Sequence, residues 1–132
     1  MQNYFEKDYV SVRYNKANHI IISSWLIPPT STEFREGMNA TIKALEHFKT
    51  GKVIWDTYQL GVLHPDDQHW AATEHYNNAL KVGYSHAVLL IPEDILTQMS
   101  IDDTVSQVQN LIPINYSPTM EAAVEWLKQF NK

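Results

Sequence analysis

The segment YVSVRY (9–14) alternates apolar with polar side chains, and HIIISSW (19–25) is β-branched and nearly continuous, with the turn-forming NKAN between them. Alternation turns one face of a strand to a core and the other to water, so the two runs predict an antiparallel hairpin. After IPPTST the period changes. Phe34, Met38, Ile42, Leu45 and Phe48 recur at helical spacing while Glu33, Arg35, Glu36 and Lys43 lie off that stripe, which predicts an amphipathic helix. Thr30 with Glu33 fits a capping box, with Ser31 and Thr32 as competing caps, and Gly51 marks the expected stop.

KVIWD (52–56) reads as a short buried strand. From about Pro65 to Val82 the spacing is helical again, with Ala72, Tyr76, Ala79 and Leu80 on one face and Gly83 as the stop. HAVLLIP (86–92) is the most apolar run and predicts a central strand covered on both faces. EDILTQMSIDDTVSQVQN is a weaker helical stretch, with a break expected near Ser100. LIPINY (111–116) predicts a last strand, confined to an edge by Pro113, which has no N–H for a ladder. Ser117 and Pro118 then offer a cap and a first helical residue, ahead of a buried stripe of Met120, Ala123, Val124 and Leu127. The resulting order, β-β-α-β-α-β-α-β-α, predicts a single α/β domain with a mostly parallel, mixed sheet, right-handed crossovers and a leading hairpin.

Taken together, the leading hairpin, PPTSTEFREGM, VIWDTYQL, PDDQHWAATEHYNNALKVGYSHAVLLIP and SPTMEAAVEWL resemble the small bacterial STAS-like domains. These are similar to anti-sigma factor antagonists and are also described as STAS/SEC14-type domains. The resemblance runs through element order and spaced residues over nearly the whole chain, and implies a right-handed superhelix of strand and helix units. In anti-sigma antagonists a phosphorylatable serine opens the helix after the third strand, within an aspartate, serine, serine, glycine sequence. Here that region reads LHPDDQHW, so the hydroxyl is missing and Asp66 or Asp67 stands near its place. The phosphorylation switch therefore does not carry over, although acids at that point would mimic a permanently charged state.

Composition narrows the function. A chain of 132 residues is the size of one domain. A net charge of -5 without clustered Lys or Arg argues against a nucleic-acid surface. The chain has no cysteine, hence no disulfide framework and no thiolate nucleophile or metal ligand. MQNYFEKDYV places charges where a signal peptide needs apolar residues, and no run approaches membrane-spanning length. The expectation is a soluble cytoplasmic protein without membrane association.

Candidate chemistry gathers around residues 56–70. Asp56 ends a strand, where open α/β sheets collect ligands, yet the acidic pair and lysine that a receiver domain would add are missing. The simpler reading is a carboxylate that accepts backbone N–H bonds in the next turn. His64, Asp66, Asp67 and His69 have metal-ligand chemistry but not the i and i+4 spacing of a helical metal site, and His69 and His75 lie six apart. Pro65 followed by two aspartates reads instead as a helix start favoured by the helix dipole. Trp70 lies off the apolar stripe, and Tyr58, His69 and Tyr76 are candidate companions in a contact surface. The isolated glycines exclude a phosphate-binding loop, and no serine sits in a nucleophile elbow.

No catalytic residue, metal or cofactor is expected from these residues. The leading expectation is a non-enzymatic binding or regulatory module, engaging a protein partner and forming a homodimer, with Asp56, Tyr58, His64, Asp66, Asp67, His69 and Trp70 as its binding surface. The alternative is a small-molecule or lipid carrier whose apolar pocket is bordered by the loop after KVIWD and by Trp70. An enzyme using Asp56 with His64 or His69 ranks last.

Overall fold

The computed structural model of the chain describes residues 1–130. Six strands form one sheet, in chain order: β1 (Gln2–Lys7), β2 (Val10–Asn15), β3 (Ile20–Trp25), β4 (Lys52–Asp56), β5 (His86–Leu90) and β6 (Ile114–Ser117). The first three pair antiparallel and β3 through β6 run parallel. This is the expected α/β architecture with one strand more at its leading edge. β1 is largely exposed, and its register slips between Asn3 and Phe5.

Because the parallel strands advance in one direction, right-handed crossovers carry every connecting helix to the same side of the sheet. Those helices are α1 (Ser31–Phe48), the run α2 (Pro65–Trp70), a π-helical turn (Ala71–His75) and α3 (Tyr76–Lys81), and α4 (Ile95–Ser106). They meet a core that takes Ile21 and Trp25 from β3, Val53 and Trp55 from β4, and Ala87 and Leu89 from β5. The alternate residues Ile20, Ile22, Ile54, Val88 and Leu90 face the other way and pack under Ala123 and Leu127 of α5 (Met120–Lys128). Lys52 ties α5 down, its Nζ donating to the Leu127 carbonyl at 3.1 Å.

Several element ends differ from the sequence expectation, each for a local reason. Thr30 caps α1 in a full capping box with Glu33, but the helix stops at Lys49 rather than Gly51. Lys49 takes the left-handed conformation (φ 56°) and returns its N–H to the Leu45 carbonyl. α4 does not break at Ser100, whose buried hydroxyl instead accepts the Leu63 N–H at 2.8 Å. Thr119, one residue past Pro118, caps α5 through the Ala122 N–H. β5 is covered on both faces as expected, yet it lies next to the edge strand β6 rather than at the centre.

The contact of α1 with the sheet depends on one missing methyl group. A Cβ on Gly37 would stand 2.7 Å from Cη2 of the buried Trp25 and 3.1 Å from Cζ3. Alanine gains about 1 kcal/mol over glycine in an exposed helix interior, but here the clash with an indole fixed in the core outweighs that gain. Gly37→Ala is expected to lower stability by about 1–2 kcal/mol in urea denaturation, and a variant more stable than the parent would contradict this packing.

Candidate functional site

The segments that follow β4, β5 and β6 meet at the carboxyl edge of the sheet, and the loop at residues 57–64 binds them together. Thr57 Oγ1 donates to the Leu90 carbonyl at 2.5 Å, Tyr58 OH to the Pro118 carbonyl at 2.7 Å, and the Leu63 N–H to Ser100 Oγ. Gln68 then reaches back to the Leu63 carbonyl at 3.1 Å. Three of these bonds tie the loop to other parts of the chain, the end of β5, the segment between β6 and α5, and α4.

The residues singled out from the sequence divide into three environments. Asp56 is half-buried and accepts the Tyr58 N–H at 3.2 Å, the turn geometry expected of it. His64 is the N-cap of α2, with Nδ1 accepting the Asp66 N–H at 3.1 Å. Pro65 occupies the first turn, as its fixed φ favours. His64, Asp66, His69 and Tyr58 are exposed.

Asp67 is not on the surface with them. Its carboxylate is buried, and Oδ1 accepts from Ser31 Oγ at 2.7 Å and Arg35 Nε at 3.1 Å, locking α2 to α1. Arg35 also lies 5.0 Å over the Trp70 ring, a cation–π contact that helps hold the guanidinium in place. Trp70 is half-buried, edge-on to Phe34, with its indole N–H on Glu74. Among the described residues, no group of three His, Asp or Glu is placed to hold a metal ion.

Beneath these loops lies an apolar cavity of about 100 Å³, between the sheet and the crossover helices. Trp25, Phe34, Trp55, Tyr76 and Tyr84 supply its aromatic wall, and α4 closes it with Ile101, Thr104, Val105 and Val108. Trp70 does not line it. Its main polar wall group is His75, at the last position of the π turn, 2% exposed and without a hydrogen-bond partner for Nε2. Burial lowers its pKa to about 4 against the opposing pull of the Met38 and Ala71 carbonyls, so the ring is neutral at pH 7. Across Trp55, the Tyr84 hydroxyl accepts from Trp55 Nε1 at 2.9 Å, and burial raises its pKa.

The apolar pocket expected beside the loop after KVIWD is bordered by Thr57, Leu60 and Leu63 of that loop but not by Trp70, and the sequence did not point to the π turn or to the burial of His75. One signal was present: His75 adjoins Tyr76 and lies three residues past Ala72, within the apolar stripe. Exposed apolar residues were also missed. Val62 (62% exposed), Ile95 (67%), Leu96 (61%) and Met99 (57%) stand at the carboxyl edge with Leu26 and Ile27. Their signal is the composition of α4, which carries apolar residues on both its inner and outer sides and so shows no clean stripe.

Two substitutions separate the neighbouring aspartates. Asp67→Ala strands Arg35 and Ser31 at a buried helix contact and is expected to cost about 2 kcal/mol in urea denaturation, whereas Asp66→Ala leaves the midpoint unchanged. Equal effects would contradict the buried role of Asp67. His75 makes stability depend on pH. Unfolded histidine titrates near 6.5 and the folded ring at about 4, so between these values only the unfolded chain takes up the proton. Its contribution is therefore complete above about pH 6.5 and falls by about 3 kcal/mol as the pH drops to 4. His75→Leu should flatten that slope in denaturation series at pH 7 and 4.5, and an unchanged slope would show that other groups carry it.

Compared with models of known families, with curated proteins and with solved structures, the chain matches none.

Proposed function

We propose that this chain is a non-enzymatic binding module that docks a protein partner at the carboxyl edge of its sheet. The observation that carries the reading is the ridge of exposed apolar residues Val62, Ile95, Leu96 and Met99, carried by α4 and by the loop that the Leu63–Ser100 bond fastens beside it. Water-facing apolar side chains drawn together from separate segments mark interaction surfaces more often than scattered single ones do.

Charge gives the partner its chemistry. Residues 53–127 hold ten of the fifteen acids and, of the ten Lys and Arg, only Lys81. Glu93, Asp94, Asp102 and Asp103, on and beside α4, are all exposed. A second copy apposed through the same face would bring these carboxylates against their own kind, and an anionic membrane would be repelled. The favoured partner therefore presents an apolar segment flanked by Lys or Arg. The STAS-like resemblance adds a bacterial regulatory setting to this proposal, in which Asp66 or Asp67 stands near the place of the anti-sigma antagonists' switch serine, Asp66 being the exposed one of the two.

The double variant Leu96→Asp, Met99→Asp tests the surface, because both side chains are exposed and their replacement leaves the core intact. In parallel capture experiments the parent chain should retain a partner that the variant loses. That partner's contact segment, mapped by cross-linking, should carry Lys or Arg beside apolar residues, and binding should weaken with salt. Equal capture by both chains would overturn the proposal. So would light scattering that shows a dimer of the parent and a monomer of the variant, which would assign the ridge to a second copy.

A further inference from the structure

The cavity is a separate feature from the ridge, on the inner side of α4, and it has the makings of a ligand site. Its wall is apolar and aromatic, yet it includes a fully buried histidine whose Nε2 lacks a partner. Buried polar groups are almost always hydrogen-bonded, so an orphaned ring nitrogen beside a void points to a group that is supplied from outside. The histidine closes a π-helical turn, Ala71–His75, a rare conformation that occurs mostly as single turns at functional sites. Tyr84 adds a hydroxyl whose oxygen is engaged by Trp55 and whose proton has no acceptor among the described residues.

Size limits what fits. The cavity is about 100 Å³ and open on one side, so a single ring, which fills a closed void of roughly 150 Å³, fits with its edge at the open side, and the space is far below the roughly 300–1,000 Å³ of drug-sized pockets. An acyl lipid is therefore too large for the cavity as it stands. Leu89, Val105 and Val108 are only half-buried and mark the side at which a small molecule enters.

We propose that this cavity binds a small neutral hydroxyl compound no larger than one six-membered ring, of which phenol is the simplest aromatic example. Its ring lies among Trp25, Phe34, Trp55 and Tyr76, and its hydroxyl donates to His75 while accepting from Tyr84. This places the ligand's polar group at the two wall positions with unused hydrogen-bonding capacity, and no bond is made or broken.

The test is an amide-detected NMR titration of the whole chain with phenol and, separately, with benzene, which has the ring but no donor. Phenol is expected to shift the amides of Ala71, His75, Ile101 and Ile114 saturably and to bind at least tenfold tighter than benzene. In His75→Leu that preference should vanish. Val108→Phe, at the half-buried rim, provides a check should the histidine variant fail to fold, and is expected to exclude both compounds. The proposal is overturned if phenol causes no saturable shift at these amides, as for a void that holds only water. It is equally overturned if the shifts are confined to Ile95, Leu96 and Met99, if benzene binds the parent as tightly as phenol, or if phenol binding survives Val108→Phe.

Discussion

The architecture follows from the order in which the strands are laid down. Each strand joins the sheet beside its predecessor, so the three crossovers that link β3 to β6 cannot alternate between faces. Their helices share one side, and the other side is left to α5. Three helical connections over four parallel strands must then fill their spacing with large side chains. Trp25, Phe34, Trp55, Tyr76 and Tyr84 do most of this, and a void remains where α4 meets them. The same constraint brings the ends of the parallel strands to one edge, where their loops become a single surface fastened by residues 57–64.

That fastening accounts for much of the chemistry between Asp56 and Trp70. Asp56, Thr57, Tyr58 and Leu63 each commit a polar group to closing a turn or holding a neighbouring loop. His64 and Asp67 commit theirs to starting and anchoring α2. A side chain already engaged by the scaffold contributes little to a reaction centre, but it holds the surrounding surface rigid. Rigidity suits a docking surface, because less side-chain and loop freedom is lost when a partner binds.

The parts of the fold legible in the sequence are those governed by local physics. The β2–β3 hairpin, the stripe and capping box of α1, and the Pro65 start of α2 depend on residues within a few positions of one another, and period and capping chemistry identify them. β1 was not legible because QNYFEK has only two apolar side chains, on adjacent positions, and its register slips between Asn3 and Phe5. Asp67 shows the limit at the site. Its place in a first helical turn was readable from the helix dipole, but Arg35, thirty-two residues away, becomes its partner only once α1 and α2 are packed. Ser100 was read as a break in a helix for the same reason, since the Leu63 N–H that justifies a buried hydroxyl comes from another crossover. His75 looked like one more histidine because its sequence neighbours do not reveal that three elements close over it.

The cavity and His75 occur together, and their combined cost bears on what they are for. At about 24 cal/mol per Å³ for a closed void, a space of 100 Å³ forgoes at most about 2 kcal/mol of packing, less here because one side is open, and a buried ring nitrogen without a partner costs about 1–3 kcal/mol more. Against a total stability of about 5–15 kcal/mol for a typical domain, this is a large sum in one place. Leucine would nearly match the size of His75 and would satisfy the apolar wall, so packing alone gives no reason for an imidazole there. Asp67, Gln68, Thr41 and Ser100 all find partners, whereas His75 Nε2 shares its lack of one with Arg13 Nε and Ser24 Oγ and differs from them in belonging to a residue that lines the cavity. An unpaired ring nitrogen on a residue that lines a cavity is a preorganised half of a hydrogen bond placed beside room for its other half.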